Sequence, residues 1–318
     1  MLSSLIRCLP LPLFLPFRYG AVALRRGSLP RSACVALLQI AARAWRHPDS
    51  PGLASKLARI APIDGHGITF AASDSMVMDA VYWLGIQGYE GRVAEVWTAL
   101  CRRAHAILEI GGNVGLFTVI GARDKPPSGR YTVVEPVPAV AALLRENLRR
   151  NGLTDVEMLQ CAAIPDAAAR PVRLNIPDEG RAAPVGAHLT EGSEVADRAS
   201  DRVITVEGRP FLDLVEGRDL IKIDAEGIEA ALLLSARSLI AAGRPTLLIE
   251  VLPEATQLAT VIAELAAECG YIVSVIPEWG SSTIVTVAAA DFTAALPATL
   301  NSKDVLLSVT PLSEILAP

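Results

Sequence analysis

The chain has few aromatic residues, little charge and no organised cysteine. Only 5% of its 318 residues are Phe, Trp or Tyr, and 20% are charged. Half are hydrophobic, which excludes a disordered chain and allows a sizeable core. The five cysteines (Cys8, Cys34, Cys101, Cys161 and Cys269) contain no C-x-x-C pair. An odd, unpaired set excludes a disulfide framework or a zinc site and fits a reducing cytoplasm. A basic excess is also missing. The net charge of −5 speaks against general nucleic-acid binding. Long apolar runs are missing too. Leu2–Phe17 is too short to span a bilayer and is broken by Pro10, Pro12 and Pro16.

The charge that is present is uneven. Residues 1–60 carry nine Arg or Lys and one acid, Asp49, while the rest is strongly acidic. The basic start is expected to pack on the body. A signal peptide, or docking of residues 1–46 on an anionic membrane surface, are the alternatives. Ser32–Arg46 reads as a helix with Leu37, Leu38, Ala41 and Trp45 on one stripe. Asp64–Gly67 reads as the turn of a small hairpin. Residues 1–75 are therefore expected to be a mainly helical extension, and 76–318 a single α/β domain.

That domain is organised around Ile107-Leu-Glu-Ile-Gly-Gly-Asn-Val-Gly-Leu-Phe117. A short apolar run bounded by glycines reads as a buried strand. The residues from Val114 read as a helix start. A strand that turns into a helix through glycines brings backbone N–H groups close to a ligand. The spacing Gly111-Gly112-x-x-Gly115 is not the G-x-G-x-x-G of a dinucleotide loop. Glu109, two places before the first glycine, suits a bound ammonium instead.

A second strand, Arg130–Val134, runs into Glu135-Pro136. An acid at that strand end is the usual acceptor for ribose hydroxyls. Pro138–Asn151 reads as a helix, and Val156–Ala163 as one strand ending on Cys161 and Ala162, where an adenine would rest or a buried thiol would sit. Pro171–Ile176 and Arg202–Val206 read as a strand pair. Pro177–Ser200 between them reads as a long loop or lid, with His188 as a solvated residue or a base facing substrate. Asp219-Leu-Ile-Lys-Ile-Asp-Ala-Glu-Gly227 puts Lys222 and Asp224 on one face of a buried strand. A helix follows Gly227 and is capped by Gly243. Pro245–Glu250 reads as the next strand, with Glu250 at its end, then a helix to Cys269 and a strand Tyr271–Ile276. The last sheet strand falls on Asp304–Val309 in preference to Thr283–Val287. Tyr89 and Glu90, in a glycine-rich break, are candidates for a lip over a ligand.

Glu109–Gly115, Glu135-Pro136, Asn147 and Lys222-Ile-Asp-Ala-Glu-Gly227 together resemble the FkbM family of methyltransferases. The family usually has Asp and Ala where this chain has Glu109 and Gly112. The resemblance implies a Rossmann-like class I methyltransferase fold. Its sheet has seven strands, mostly parallel, with the last one antiparallel. It also implies S-adenosyl-L-methionine (SAM) as cofactor, held by Glu109, Gly111, Gly112, Asn113, Gly115, Glu135, Pro136, Cys161 and Ala162. The reaction it implies is methylation of a hydroxyl on a sugar, polyketide or other secondary metabolite. Asp224, Lys222 and Glu226 are the catalytic candidates; Tyr89, Glu90, His188 and Glu250 are candidates on the acceptor side. No resident metal is expected, although Asp224 and Glu250 offer the hard oxygens that magnesium prefers. The partner is expected to be a small-molecule or glycan acceptor. A nicotinamide-dependent oxidoreductase and a catalytically silent binding protein of the same fold are the competing readings.

Overall fold

The computed structural model describes Gly67 to Ala317, apart from residues 72, 74, 79–80, 82–85, 87–89, 178–182, 196–200, 253–254, 278–282 and 293–302. The basic start, the expected helix at 32–46, most of the expected hairpin and Tyr89 lie outside the described residues. The chain divides into two units, Met1–Tyr89 and Glu90–Pro318. In the first, Ile68, Phe70, Val77 and Val81 are buried. Among the described residues, no helix is long and apolar enough to cross a membrane.

The second unit runs α1 (Gly91–Cys101), β1 (Ala106–Ile110), α2 (Leu116–Asp124), β2 (Arg130–Val134), α3 (Pro138–Arg150), β3 (Val156–Leu159) and β4 (Ala162–Ile164). It continues with β5 (Arg170–Ile176), β6 (His188–Leu189), β7 (Arg202–Pro210), α4 (Phe211–Val215), β8 (Leu220–Ile223), α5 (Glu229–Ser235) and α6 (Arg237–Gly243). It ends with β9 (Thr246–Val251), α7 (Thr256–Cys269), β10 (Ile272–Pro277), β11 (Val285–Val287), β12 (Lys303–Ser308) and α8 (Leu312–Ile315). The main sheet has the order β11-β10-β12-β9-β8-β1-β2-β3. Strands β3, β2, β1, β8 and β9 are parallel, and β12 is antiparallel to both β9 and β10.

The centre of the sheet follows from its sequence. β1 and β8 are buried along their whole length, as strands covered on both faces must be. In register, Glu109 lies opposite Lys222 on one side and Val133 on the other. Each buried charge thus meets its partner across one rung of the ladder.

Four expectations are corrected. The sheet has eight strands, because both late candidates pair: β12 lies antiparallel between β9 and β10, and β11 adds a second antiparallel strand at the edge of β10. The single strand expected at Val156–Ala163 breaks at Gln160-Cys161. β3 stays in the main sheet, while β4 joins a second sheet of order β4-β7-β5-β6. Ala162, Ala163 and Ile164 are all buried, so the chain bends where its apolar residues find cover between elements. The helix after Gly227 is two helices, divided at Ala236. Ser235 Oγ donates to Leu232 O at 2.7 Å, a side-chain bond that competes with the helical ladder there. The fourth correction is to the lid at 177–200, which contains a strand, β6, paired with β5.

α1 and α2 pack over the start of the site. Trp97, fully buried, donates Nε1–H to Phe117 O at 3.1 Å and meets Tyr131 edge-on, with ring centroids 6.4 Å apart. Gly121 makes this approach achievable: a Cβ there would stand 2.6 Å from Trp97 Nε1 and 2.8 Å from Cys101 Sγ. Gly121→Ala is therefore expected to lower stability by about 1–3 kcal/mol, the usual cost of overpacking. Denaturant unfolding measures it; an unchanged midpoint would show that the two helices separate freely.

Candidate active site

The glycine turn after β1 is built by backbone demands. Gly111, Asn113 and Gly115 all have positive φ, at 81°, 47° and 90°. Gly111 cannot carry a side chain for a second reason, because its Cβ would lie 1.8 Å from the carbonyl oxygen of Asp224. A Cβ on Gly112 would strike Val133 at 2.3 Å. The family's alanine at that position therefore has no room here unless Val133 moves. The turn is tied down on three sides. Gly111 and Gly112 N–H both donate to Val134 O at 3.0 Å. Asn147, buried on α3, donates Nδ2–H to Val114 O at 2.6 Å.

Glu135 clamps the same turn. One carboxylate oxygen accepts Asn113 N–H at 2.9 Å, and the other accepts Val137 N–H at 2.8 Å. Burial pushes its pKa up to about 7, against the pull of those two amides. Each oxygen retains lone-pair capacity for a further donor. Pro136 beside it is part-exposed.

Glu109 is placed differently from the expectation that it meets an ammonium. It is buried beneath the turn and accepts the Tyr131 hydroxyl at 2.6 Å. Burial lifts its pKa to about 7, with Lys222 and Tyr131 pulling the other way. Its carboxylate thus lies under the turn, against Tyr131. The sequence could not show this, because the side chain's direction depends on the partner strands.

Across the sheet, β8 ends on Asp224. Lys222, fully buried, donates to Asp224 Oδ2 at 2.6 Å and lies 4.8 Å from the centre of the Phe117 ring. Burial alone would lower the Lys222 pKa, but Asp224, Asp304 and Glu109 carry it above its ordinary value. Asp224, Glu226 and Glu250 stand together, each offering a carboxylate oxygen within 4.8 Å of the others. Burial first, and neighbouring acids second, raise the pKa of Glu226 and Glu250. The partly open residues Gly111, Asn113, Pro136, Asp224, Glu226 and Glu250 all lie at the carboxyl ends of β1, β2, β8 and β9. Ligands bind at that edge in open α/β sheets.

The remaining expected residues fall elsewhere. Cys161 and Ala162 are buried at the break between β3 and β4, and burial lifts the Cys161 thiol to about 11. Glu90 is the N-cap residue of α1, its carbonyl accepting Ala94 N–H at 2.8 Å. His188 is not a solvated loop residue. It is buried in β6 opposite Asn175, with Nδ1 3.1 Å from Gly186 O. β6 gave no sequence signal because a two-residue strand is too short for periodicity.

Sequence reasoning also missed Glu229 and the segment that holds Glu226. The buried Glu229 carboxylate accepts Ala225 N–H at 2.8 Å and Gly227 N–H at 3.0 Å, folding the turn after Asp224 back on itself. An acid in the first turn of a helix just after glycine was its available signal. Ser193 Oγ donates to Glu226 O at 3.0 Å, Glu194 N–H to Gly227 O at 2.8 Å, and Gln257 N–H to Glu194 Oε1 at 3.1 Å. The Gly186 backbone pulls the Glu226 pKa down, against burial and the neighbouring acids. No sequence motif marks these contacts.

An acid raised to about 7 from 4.5 keeps its proton in the folded chain across that window. The folded state then binds more protons than the unfolded one, so stability falls as pH rises through it. For Glu109 this loss is complete above about pH 7. Glu109→Gln should flatten the fall in stability by up to one proton in that window. Denaturant titrations across it test this. An unaltered slope would mean that Glu109 is ionised throughout.

The family model described as the methyltransferase FkbM domain matches residues 109–273. No curated protein matches the chain. Among solved structures, it is similar to an O-methyltransferase from Bacillus cereus in complex with SAH (17% identity, TM-score 0.39, 69% of this chain and 80% of that one). It is also similar to a methyltransferase FkbM from Methylobacillus flagellatus KT (15%, 0.38, 64% and 43%). A third is the O-methyltransferase TomG from Streptomyces achromogenes in complex with SAM (14%, 0.39, 72% and 83%). The matched span runs from Glu109 at the end of β1 into β10, and takes in the glycine turn, Glu135 and the Lys222–Gly227 motif: the chain belongs to the FkbM methyltransferase family.

Proposed function

We propose that the protein transfers a methyl group from SAM to a hydroxyl oxygen of a sugar, polyketide or other secondary metabolite. One observation carries the reading: the glycine turn, Glu135 and the Lys222–Asp224 pair meet at one sheet edge. The residues fit the cofactor. Glu135 keeps acceptor capacity for two ribose hydroxyls while its other lone pairs fix the turn. Gly111 and Asn113, both with positive φ, leave part-open backbone at the ligand side of the turn. When bound, SAM supplies an electrophilic methyl on sulfur.

The chain's own residues supply the rest. An alcohol is a weak nucleophile near neutral pH, so a positioned base must take its proton as the new C–O bond forms. Asp224 is that base: it is part-exposed, ends β8 and lies against Gly111. Lys222 holds Asp224 oriented by charge pairing. Glu226 lines the acceptor side, and Glu250 stands beside it. The buried Phe117 and Val114 exclude water from below.

Asp224→Asn keeps the shape and removes the base, so methyl transfer should fall by about 10²–10⁴-fold while SAM affinity barely moves. Single-turnover kinetics with a labelled methyl group test it, beside thermal unfolding as a control. Normal turnover would place the base elsewhere. Glu135→Gln should weaken SAM binding by about 1.5–3 kcal/mol, the scale of a charged hydrogen bond. Calorimetry giving the same dissociation constant would remove Glu135 as the ribose acid.

A further inference from the structure

We infer that Asn147 is a positioning residue for SAM: its side-chain amide holds the glycine turn where the turn meets the part of SAM beyond the ribose. The inference rests on the proposed function in taking SAM as the ligand and Glu135 as the ribose acid. The order of the sheet carries the next step. Glu135 follows β2, the turn follows β1 and Asp224 follows β8, and β1 lies between the other two strands. A ligand with its ribose at Glu135 and its methyl near Asp224 has to cross the turn. The sulfonium, and the amino-acid chain that it carries, therefore meet the turn's backbone.

That backbone is held group by group. Asn113 N–H goes to Glu135 Oε2, Val114 N–H to Asn113 Oδ1 at 2.7 Å, and Gly115 N–H to Gly112 O at 2.8 Å. The helical ladder of α2 opens with Val119 N–H on Gly115 O at 2.9 Å, one residue too late to use Val114 O. Val114 is fully buried, so its carbonyl needs a donor from another element. Asn147 is that donor, with Nδ2 2.6 Å away and the residue only 1% exposed. Glu135 and Asn147 thus hold adjoining residues of one turn.

Packing alone would leave the turn free to rotate. Leu144, three residues before Asn147 on the same face of α3, stands where a Cβ on Gly115 would come within 2.4 Å and one on Gly112 within 3.1 Å. This contact sets how close α3 comes to the turn. It does not set the direction of a peptide plane, and the glycines on either side, at φ 81° and 90°, can adopt many. A directed bond to Val114 O fixes the plane between Val114 and Gly115. The unit that takes the ribose, from Glu135 through α3, therefore also aims the turn at the rest of the cofactor.

The test is calorimetry of the full-length chain with two probes. One is SAM; the other is methylthioadenosine, which keeps the adenosine and the sulfur but lacks the amino-acid chain and the positive charge. Asn147→Leu and, separately, Asn147→Asp remove the donor. Each should weaken SAM binding about tenfold, the scale of a buried carbonyl left unpaired, and leave methylthioadenosine binding unchanged. Glu135→Gln should weaken both probes by a similar factor, because both carry the ribose. Asn151→Ala, which removes a bond of 2.7 Å to Asn147 O at the end of α3, should change neither. Thermal unfolding shows which variants fold, and either Asn147 variant suffices. Full SAM affinity in a folded Asn147 variant, or equal weakening of the two probes, overturns the inference and leaves the proposed function standing. A wild type that binds neither probe ends the proposed function and the inference with it.

Discussion

A buried ammonium has to be matched by charge, and that of Lys222 is the constraint on which the site depends. Taking a lysine out of water costs several kcal/mol unless opposite charge is close by. Here Asp224 touches it at 2.6 Å, Glu109 faces it across one rung of the sheet, and Phe117 lies beside it. Each partner belongs to a different piece of the site. Asp224 ends β8, Glu109 supports the glycine turn, and Phe117 opens the helix after that turn. One charge thus fixes the relative positions of two stretches far apart in sequence, 109–117 and 222–224.

The interlock of the two loops follows from that pairing. With Asp224 held by Lys222, its backbone carbonyl presses against Gly111 and its N–H reaches Ile110 O at 3.2 Å. Only glycine fits at Gly111, and so the turn that faces the cofactor depends on where β8 ends. Glu135 closes the other side by accepting Asn113 N–H. The turn is therefore set before any ligand arrives, which lowers the ordering cost of binding.

The acids of the site are unusual in number and in burial. Glu109, Glu135, Glu226, Glu229 and Glu250 all have raised pKa values, and burial is the largest cause for each. They divide by what they accept. Glu135 and Glu229 take backbone N–H groups and shape turns. Glu109 takes a tyrosine hydroxyl and holds the floor. Glu226 and Glu250, with Asp224, face one another at the edge where β8 and β9 end.

The sequence by itself determined the fold class, the order of the central strands' elements and the two loops that meet at the site. Its signals there were local: apolar runs bounded by glycine, and acids at strand ends. It also placed Lys222 and Asp224 on one strand face, since alternation along a strand needs no tertiary knowledge. Only the tertiary structure decided that Glu109 faces inward to Tyr131, because that direction depends on which strands flank β1. Only it put His188 in a buried two-residue strand and brought Ser193 and Glu194 onto Glu226 and Gly227. Those contacts join backbone groups and a serine hydroxyl across distant parts of the chain. No residue type or spacing encodes such bonds, so the packing of the second sheet had to settle them.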